Sequence, residues 1–429
     1  MTIDAERSTP PSQSGPPENG SPPNRISKGV FYPALALVVG VLIWGLVFTS
    51  SFNSAAEAAF SWTANSVGWL FVLAGTAFVA FVLWLAFSKY GNVRLGGDDE
   101  RPQYRTSSWI SMMFAAGMGI GLMFYGVSEP LSHFLTTPPG SQPGVTTAMA
   151  TTTFHWTAHA WAVYAVVGLA LALTAYRYGG RHLISSAFVP LIGKERAEGW
   201  MGKVLDVLAI FATVFGTAAS LGLGVLQITA GLEHTGLVEN PGTWLMLGII
   251  IVLGLAFLVS ALSGVSKGIQ YISNFNMIAA LILAVFVLVV GPTVIILNTI
   301  PTAAGSYLSQ FFEMASRTGA SANGTAGEWL SGWTIFYWAW WVSWTPFVGM
   351  FIARISRGRT IRQFVAGVLL VPSTVSLVWF AIFGGAAIDA ERNGADLSGA
   401  GSTESTLFAL LDTLPLAPIT SVLVMVLVG

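Results

Sequence analysis

Residues 333–359 read WTIFYWAWWVSWTPF, then VGMFIA, then RISRGR. Eight of the first fifteen residues are aromatic, and the run is long enough to cross a bilayer as a helix, which takes about 20 residues. Arginines close the run where such a helix would meet water. Tryptophan usually gathers at the two membrane interfaces, so tryptophan throughout a span requires a further explanation.

The rest of the chain also has the composition of a membrane protein. Charged residues make up 9% and hydrophobic residues 54%, against about 25% and 45–50% in soluble domains. Apolar runs of spanning length lie near 30–50, 65–88, 107–128, 152–176, 204–228, 242–263, 275–299, 331–353 and 364–386, with a tenth opening near 415. A helix cut off within the bilayer would leave backbone groups unpaired, so the ending at Gly429 predicts a fragment of a longer protein.

Alternate loops differ sharply in positive charge. Seventeen of the nineteen basic residues lie on one side. They are Arg7, Arg25, Lys28, Lys89, Arg94, Arg101, Arg105, Arg177, Arg181, Lys194, Arg196, Lys203, Lys267, Arg354, Arg357, Arg359 and Arg362. Only Arg317 and Arg392 lie on the other side. Because cytoplasmic loops collect Lys and Arg, the pattern predicts a multi-pass protein of the cell membrane with a cytoplasmic N-terminus.

The first 28 residues are rich in Pro, Ser and Gly. Such a segment cannot bury enough apolar surface to fold, so we predict a disordered cytoplasmic tail at 1–28. An alternative treats 25–58 as a signal peptide, but its apolar stretch of about 19 residues exceeds the usual 7–15. The chain has no cysteine, which excludes disulfides and thiolate metal sites.

The span 107–128 carries Gly117, Gly119 and Gly121 near its middle. Each glycine costs up to about 1 kcal/mol of helix stability relative to alanine. Three in alternation favour an unwound segment whose backbone groups face a ligand, as at many transporter sites. The alternative is close helix packing through small residues, a spacing that Gly117 and Gly121 also match, and the motif alone does not choose between them.

Depth separates two groups of aromatic residues in the span 331–353. Trp333 and Tyr337 lie toward its outer end and are candidates for interfacial anchors. Trp340, Trp341 and Trp344 lie near its middle, too deep for an interfacial belt. At about 100° per residue, these three share one helix face.

The span 152–176 repeats this pattern with Trp161 and Tyr164 near its midpoint and Trp156 nearer its outer mouth. Two helices can therefore each contribute an aromatic wall. Facing rings suit a quaternary ammonium group, which cannot donate a hydrogen bond but gains about 0.5–2 kcal/mol per ring from cation–π attraction. The alternative is that these rings only pack the core of the bundle.

Acidic residues are missing from the middle of the predicted spans. Glu129 ends the third span, and Asp206 lies near the cytoplasmic start of the fifth. A bare cation would be expected to meet a carboxylate at this depth. The pattern therefore favours a zwitterion, with its cationic head between the rings and its own carboxylate on the glycine N–H groups.

These motifs together resemble the betaine/carnitine/choline transporter family. The resemblance rests on GMGIG followed by MFYG, on FHW with WAVY, and on WAWWVSWTPFVGMFIARISRGR, and it covers nearly all of residues 30–429. It implies an all-α integral membrane fold in which two leading helices precede two inverted five-helix repeats in a leucine-transporter-like arrangement. Twelve helices would make up the whole protein, of which about ten spans are present here, and family members are commonly homotrimers.

On this resemblance the chain divides into five parts. These are the tail at 1–28, two leading helices at 29–106, a first five-helix repeat at 107–300, an amphipathic connecting helix and loop at 301–324, and an incomplete second repeat at 325–429.

The resemblance also implies individual site residues. Trp156, Trp161, Tyr164 and Trp341 correspond to the aromatic box, and Trp340 and Trp344 line the pathway beside it. The carbonyls of Ala115 and Met118 correspond to half of one sodium site, whose other half would lie past Gly429. Thr213, Thr217 and Phe347 correspond to a second, with Ser220 nearby. Hydrogen bonding between helices is the alternative role for these hydroxyls, although neutral oxygen ligands suit a hard cation and proton coupling would require a buried ionisable group.

Gly121 bears on specificity, because choline-type, proton-coupled relatives often have an acidic residue there. Glycine implies a betaine-like zwitterion and sodium. We therefore predict a symporter that imports glycine betaine or a close compatible solute with sodium by alternating access, with no other cofactor and no nucleic-acid partner. Alternatives within the class are ectoine, proline, choline, or carnitine by exchange.

Two other classes of protein are disfavoured. A channel would need a continuous polar pore lining, and an intramembrane enzyme would need a nucleophile with a base or a metal cluster. The five histidines, at 133, 155, 159, 182 and 234, show no ligand spacing with carboxylates. His155 and His159 lack a third partner, so interfacial or hydrogen-bonding roles are predicted for them.

Overall fold

The regular elements of the described residues are all helical. The computed structural model describes residues 26–117, 119–262 and 268–429, so most of the predicted tail at 1–28 lies outside the described residues. The principal helices are α1 (Lys28–Val47), α2 (Thr49–Trp62), α3 (Gly68–Phe87), α4 (Thr106–Gly117), α5 (Ile120–Leu135), α6 (Val145–Trp156), α7 (Ala158–Ala172), α8 (Trp200–His234), α9 (Thr243–Leu262), α10 (Gly268–Val290), α11 (Thr293–Ala315), α12 (Phe336–Ile355), α13 (Ile361–Arg392), α14 (Thr406–Asp412) and α15 (Ala417–Val428).

Two of the predicted spans are interrupted helices. The span 107–128 is divided between α4, which ends at Gly117, and α5, which begins at Ile120 after an extended Gly119. The span 152–176 is divided between α6 and α7 by a non-helical Thr157 with φ −119° and ψ −122°. The interruption after Gly117 agrees with the poor helix propensity of the alternating glycines.

The aromatic helix α12 lies at the centre of the packing. It packs along α7 on one side and against α8 on another. The Trp338 ring stacks on His159 of α7 at 5.4 Å between centroids. The long α13 packs against α5, α7 and α11, so the two interrupted helices are held between α12 and α13.

The prediction of one continuous span over 275–299 is wrong after Val290. The helix ends at Val290, and the chain then bends by 113° into α11. Pro292, which has no N–H to continue a helix, lies at this bend. The amphipathic helix predicted at 301–324 therefore begins earlier, at Thr293, and ends at Ala315.

By length and apolar composition, five helices among the described residues could cross a membrane, or six if the bent pair counts as one span. Shorter apolar helices occupy Thr243–Val259 and Ala417–Val428. Ten spans were expected, and the difference arises where predicted spans are broken, short or less apolar. The apolar helices are those of a multi-pass membrane protein.

The loops rich in arginine are joined to one another. Arg94 and Thr360 form an antiparallel bridge, and the Arg357 Nε donates to Glu100 Oε1. The Gly97 backbone N–H, which donates to the Glu100 carboxylate, lowers the pKa of that carboxyl below its usual value, with a smaller contribution from Arg357. These contacts tie the segment after α3 to the segment between α12 and α13.

Gly367 of α13 allows Trp109 of α4 to pack against that helix. A Cβ at Gly367 would lie 1.9 Å from Trp109 Cη2, and Trp109 is buried, with its Nε1 donating to Ser356 Oγ at 2.9 Å. We expect Gly367→Ala to reduce the free energy of unfolding by about 1–3 kcal/mol through overpacking. A lower melting temperature in detergent checks this. Gly305→Ala on α11, where a Cβ meets no atom within 4 Å, is the control, and equal melting temperatures would contradict the prediction.

Candidate functional site

A cavity of about 90 Å³ lies where the interrupted helices meet α12. Six of its lining side chains are the aromatic residues singled out from the sequence, namely Trp156, Trp161, Tyr164, Trp340, Trp341 and Trp344. Gly119 and Gly121 line it from the start of α5, and Ser220 lines it from α8. Ser376 of α13, which the sequence did not single out, adds a buried hydroxyl to the lining. The residues predicted from two separate spans are therefore brought together in one cavity.

Two of the rings form a stacked pair, and two further rings lie edge to face with one member of that pair. Trp340 and Trp341 are nearly parallel, with centroids 5.0 Å apart and an interplanar angle of 11°. Trp156 lies 5.0 Å from Trp341 at 73°, and Tyr164 lies 6.4 Å from Trp341 at 74°. The Trp341 Nε1 donates to the His155 carbonyl oxygen at 3.1 Å, which fixes its orientation. We call these rings, together with Trp161 and Trp344, the aromatic cage.

Two of the residues that line the cavity carry hydrogen-bond donors without partners, and the start of α5 supplies others. The Nε1 atoms of Trp340 and Trp344 are buried and have no acceptor among the described residues. Gly119 and Ile120 line the cavity at the start of α5, where the first N–H groups of a helix have no partner within it. Helix N-termini are suitable sites for anions, so the cavity offers donors for a carboxylate beside rings for a cation.

Gly121 is packed directly against the aromatic cage. A Cβ at this position would lie 2.6 Å from Trp156 Cη2 and 3.1 Å from Trp340 Cη2. Contacts below 3.0 Å would force a ring to move, so the absence of a side chain at Gly121 sets how closely α5 approaches these two indoles. The break in the helix therefore occurs in this segment, and at Gly121 the backbone packs closely against indole rings.

The predicted sodium ligands are placed less uniformly. Met118 lies outside the described residues, while Ala115 lies in the last turn of α4, as does Gly117, which was predicted for the substrate site. Thr213 and Phe347 line a larger cavity of about 1100 Å³ together with Asp206. Thr217 does not line either cavity described here and is exposed.

The Thr213 hydroxyl is engaged within its own helix. It donates to the carbonyl oxygen of Ala209 at 2.8 Å, which leaves its lone pairs free to face a cation. Phe347 is 58% exposed. The structure thus places Thr213 and Phe347 at the edge of the larger cavity, apart from the aromatic cage.

Glu129 is a buried carboxylate that the sequence analysis misplaced. Its Oε2 accepts the Trp156 Nε1–H at 2.6 Å and the Tyr337 O–H at 2.5 Å, and its Oε1 lies 2.7 Å from His155 Nδ1. The expectation that the cage has no carboxylate partner therefore needs correction, although Glu129 does not line the cavity itself. The reason is that α5 continues through Pro130 to Leu135, so Glu129 lies within a helix rather than at the end of a span.

Glu129, His133 and His155 bring three potential metal-ligand atoms within 4.8 Å of one another. The prediction that the histidines show no ligand spacing with carboxylates is wrong for His133 and His155. Glu129 and His133, four residues apart on α5, were the detectable signal, and His155 joins them from α6. At 2.7 Å the Glu129 and His155 atoms are hydrogen-bonded, and His155 Nε2 lies 3.0 Å from Thr334 Oγ1, so these side chains form one polar network.

Tyr337 belongs to this network and is not an interfacial anchor. Its side chain is fully buried, and its ring stacks on Trp340 and Trp341 at interplanar angles of 18° and 16°. Trp333 is half-buried and lies with its ring centroid 4.5 Å from that of His133. The position of Tyr337 along the span predicts its depth in the membrane. It does not predict that side chains of neighbouring helices bury the ring.

Comparisons with known proteins give a consistent result. Residues 29–429 match the family described as betaine/carnitine/choline family transporter. A glycine betaine transporter of Bacillus subtilis is 43% identical over 405 residues, covering 93% of this chain and 78% of that protein. A betaine/ectoine transporter of Corynebacterium glutamicum is 43% identical over 401 residues, covering 92% and 63%. An uncharacterized transporter of Mycobacterium tuberculosis is 46% identical over 407 residues, covering 93% and 68%.

Proposed function

This chain belongs to the betaine/carnitine/choline transporter family, and on that premise we propose that it imports glycine betaine or a related zwitterionic compatible solute with sodium by alternating access. It is a transporter and not an enzyme. The proposal extends to a cytoplasmic N-terminus, a leucine-transporter-like arrangement of repeats, a homotrimer and a role in osmoprotection. Relatives named as glycine betaine transporters support the choice of substrate.

The single observation that carries the proposal is the pairing of two kinds of surface in one cavity. The aromatic cage offers ring faces and no free carboxylate, which suits a trimethylammonium group. The start of α5, where the first N–H groups of a helix have no partner within it, lines the same cavity through Gly119 and Ile120. Helix N-termini favour negative charge, so a substrate carboxylate would be stabilised at the start of α5. A ligand with both groups uses the whole site.

Glu129 changes the reasoning but not the choice of substrate. Its two oxygens are already bonded to Trp156, Tyr337 and His155, and it lies behind the lining of the cavity. It therefore does not offer a direct partner to a cationic substrate that lacks its own carboxylate. The preference for a zwitterion rests on the N–H groups at the start of α5 beside the aromatic cage rather than on the absence of acidic residues.

A competition experiment tests the choice of substrate. Uptake of labelled glycine betaine is measured in cells that lack their own uptake systems, with an excess of unlabelled betaine, ectoine, proline, choline or carnitine. We expect betaine to compete most strongly, because it fills the cage and reaches the donors. Stronger competition by choline, which has no carboxylate, would contradict the zwitterion site, and stronger competition by ectoine or proline would contradict the need for a quaternary ammonium group.

The proposed sodium site can be tested at Thr213. Loss of one neutral oxygen ligand corresponds to about 1 kcal/mol, so Thr213→Ala is expected to raise the sodium concentration for half-maximal uptake about fivefold. Thr235→Ala is a matched control, because Thr235 also donates to the carbonyl four residues earlier, that of Gly231. The same sodium dependence in Thr213→Ala and wild type would contradict a ligand role for Thr213.

A further inference from the structure

Glu129 is a fully buried carboxylate in the interior of a membrane protein. The Trp156 indole nitrogen can only donate, so Oε2 of Glu129 must accept from it. The Thr334 hydroxyl can donate to His155 Nε2, and Nδ1–H of that ring can then donate to Oε1 of Glu129. With this tautomer, assigned from the network, the Glu129 carboxylate accepts from Trp156, Tyr337 and His155 and carries no proton.

A charge buried inside a membrane bundle raises the free energy of the folded protein. Ionisable groups within a membrane bundle are expensive and are by default associated with function. No Lys or Arg side chain forms a salt bridge with Glu129 among the described residues; its ion-pair neighbours there are His133 at 3.4 Å and His155 at 2.7 Å. The carboxylate is stabilised by hydrogen bonds from side chains on α6 and α12, and one of these donors, Trp156, is a wall of the cavity.

The bond from Trp156 to Glu129 changes the ring that faces the substrate. An indole N–H that donates to an anion shifts electron density into the ring and makes its face more negative. Hydrogen bonds to a charged acceptor are roughly twice as strong as neutral ones, and the surrounding low dielectric strengthens them further. Because cation–π attraction is electrostatic, a more negative Trp156 face holds a cation more tightly.

We infer that Glu129 is a positioning residue that orients and polarises Trp156, and so sets the affinity of the aromatic cage for a quaternary ammonium group. This inference rests on the proposed function, since it assumes that the cage binds such a group. It assigns to Glu129 an effect on substrate binding without contact with the substrate. Tyr337, bonded to the same oxygen, holds the carboxylate in place and stacks behind Trp340 and Trp341.

Glu129→Gln removes the charge with little change in shape. The amide oxygen can still accept from Trp156 and Tyr337, and the amide N–H₂ can donate to His155 Nδ1. We expect the KM for glycine betaine to rise about tenfold, as befits the loss of part of a desolvated cation–π interaction, while Vmax changes much less than KM. Glu313→Gln, at an exposed carboxylate on α11, is the matched control and is expected to keep the wild-type KM.

A double-mutant cycle tests whether the effect passes through Trp156. Trp156→Phe keeps a ring but removes the N–H that bonds to Glu129. If the carboxylate acts through that bond, Glu129→Gln should add little to the KM of Trp156→Phe, so that the two effects are strongly non-additive. Additive effects would overturn the inference, since Glu129 would then act by another route.

Tyr337→Phe separates polarisation from simple packing. It keeps the stacked ring and leaves the Trp156 bond to Glu129 in place, so its KM should rise less than that of Glu129→Gln. An equal or larger rise would show that Glu129 only holds neighbouring rings in position, and would overturn the inference. If Glu129→Gln does not reach the membrane, Glu129→Asp can be tested instead. Its shorter side chain keeps the charge but moves it away from Trp156, so KM should rise in this variant as well.

Uptake by the wild type separates the proposed function from the role of Glu129. Absence of any uptake of quaternary ammonium compounds by the wild type would overturn both the proposed function and this inference. Betaine uptake by the wild type with an unchanged KM in Glu129→Gln would overturn the inference alone.

Discussion

Trp341→Ala is expected to reduce Vmax/KM for glycine betaine by about 30-fold or more. Trp341 stacks on Trp340, meets Trp156 edge to face and lies beside Tyr164, so its loss removes one ring face and the support of others. A desolvated cation–π contact contributes up to about 2 kcal/mol, and each 1.4 kcal/mol is about tenfold in affinity. Uptake assays over a range of betaine concentrations measure the effect.

Matched phenylalanine variants separate recognition from stability. A buried Trp→Ala change costs about 3–5 kcal/mol of folding stability, which could itself lower uptake. Trp341→Phe keeps a ring and should lose about tenfold in Vmax/KM. Trp338→Phe alters an equally buried ring on the same helix that stacks on His159 and does not line the cavity. Equal losses in the two phenylalanine variants would contradict a specific role for Trp341.

Gly121→Asp is expected to shift selectivity from glycine betaine toward choline. The new side chain would project between Trp156 and Trp340 and place a carboxylate in the cavity. That carboxylate would repel the carboxylate of betaine and would pair with choline, which carries only a cation. We expect betaine uptake to fall at least about tenfold and choline uptake to become measurable, since one opposite-charge pair corresponds to 1–3 pKa units, or 1.4–4 kcal/mol.

Gly121→Ala separates the charge from the volume of the side chain. Its Cβ meets the same indole atoms, so betaine uptake should fall while choline uptake stays absent. Parallel uptake of both labelled substrates distinguishes the two variants. Unchanged selectivity in Gly121→Asp, or a gain of choline uptake in Gly121→Ala, would contradict the role assigned to Gly121.

Periodicity and depth were sufficient to find the walls of the cavity. Trp340, Trp341 and Trp344 fall on one helix face at about 100° per residue, and that geometry does not depend on neighbouring helices. The alternating glycines likewise predict a local loss of helix, which occurs after Gly117. These features depend on residues close together in the sequence, so a single sequence contains the information.

The features that depend on packing between helices could not be predicted in this way. Glu129 meets Tyr337, a residue 208 positions away, and no local pattern predicts that contact. The bend at Pro292 shortens a predicted span because apolar residues continue into α11, and hydropathy does not report direction. Thr217 shares a helix with Thr213 but is exposed, because small differences in angle decide which side chain reaches a cavity.

Uptake of glycine betaine into proteoliposomes under an imposed sodium gradient tests the central claim most directly. With sodium high outside and potassium inside, we predict saturable accumulation of labelled betaine above its external concentration, which collapses when sodium outside is replaced by potassium. A proton gradient imposed without sodium should not drive accumulation of betaine. Betaine uptake that proceeds equally without sodium, or that only equilibrates across the membrane, would contradict the account.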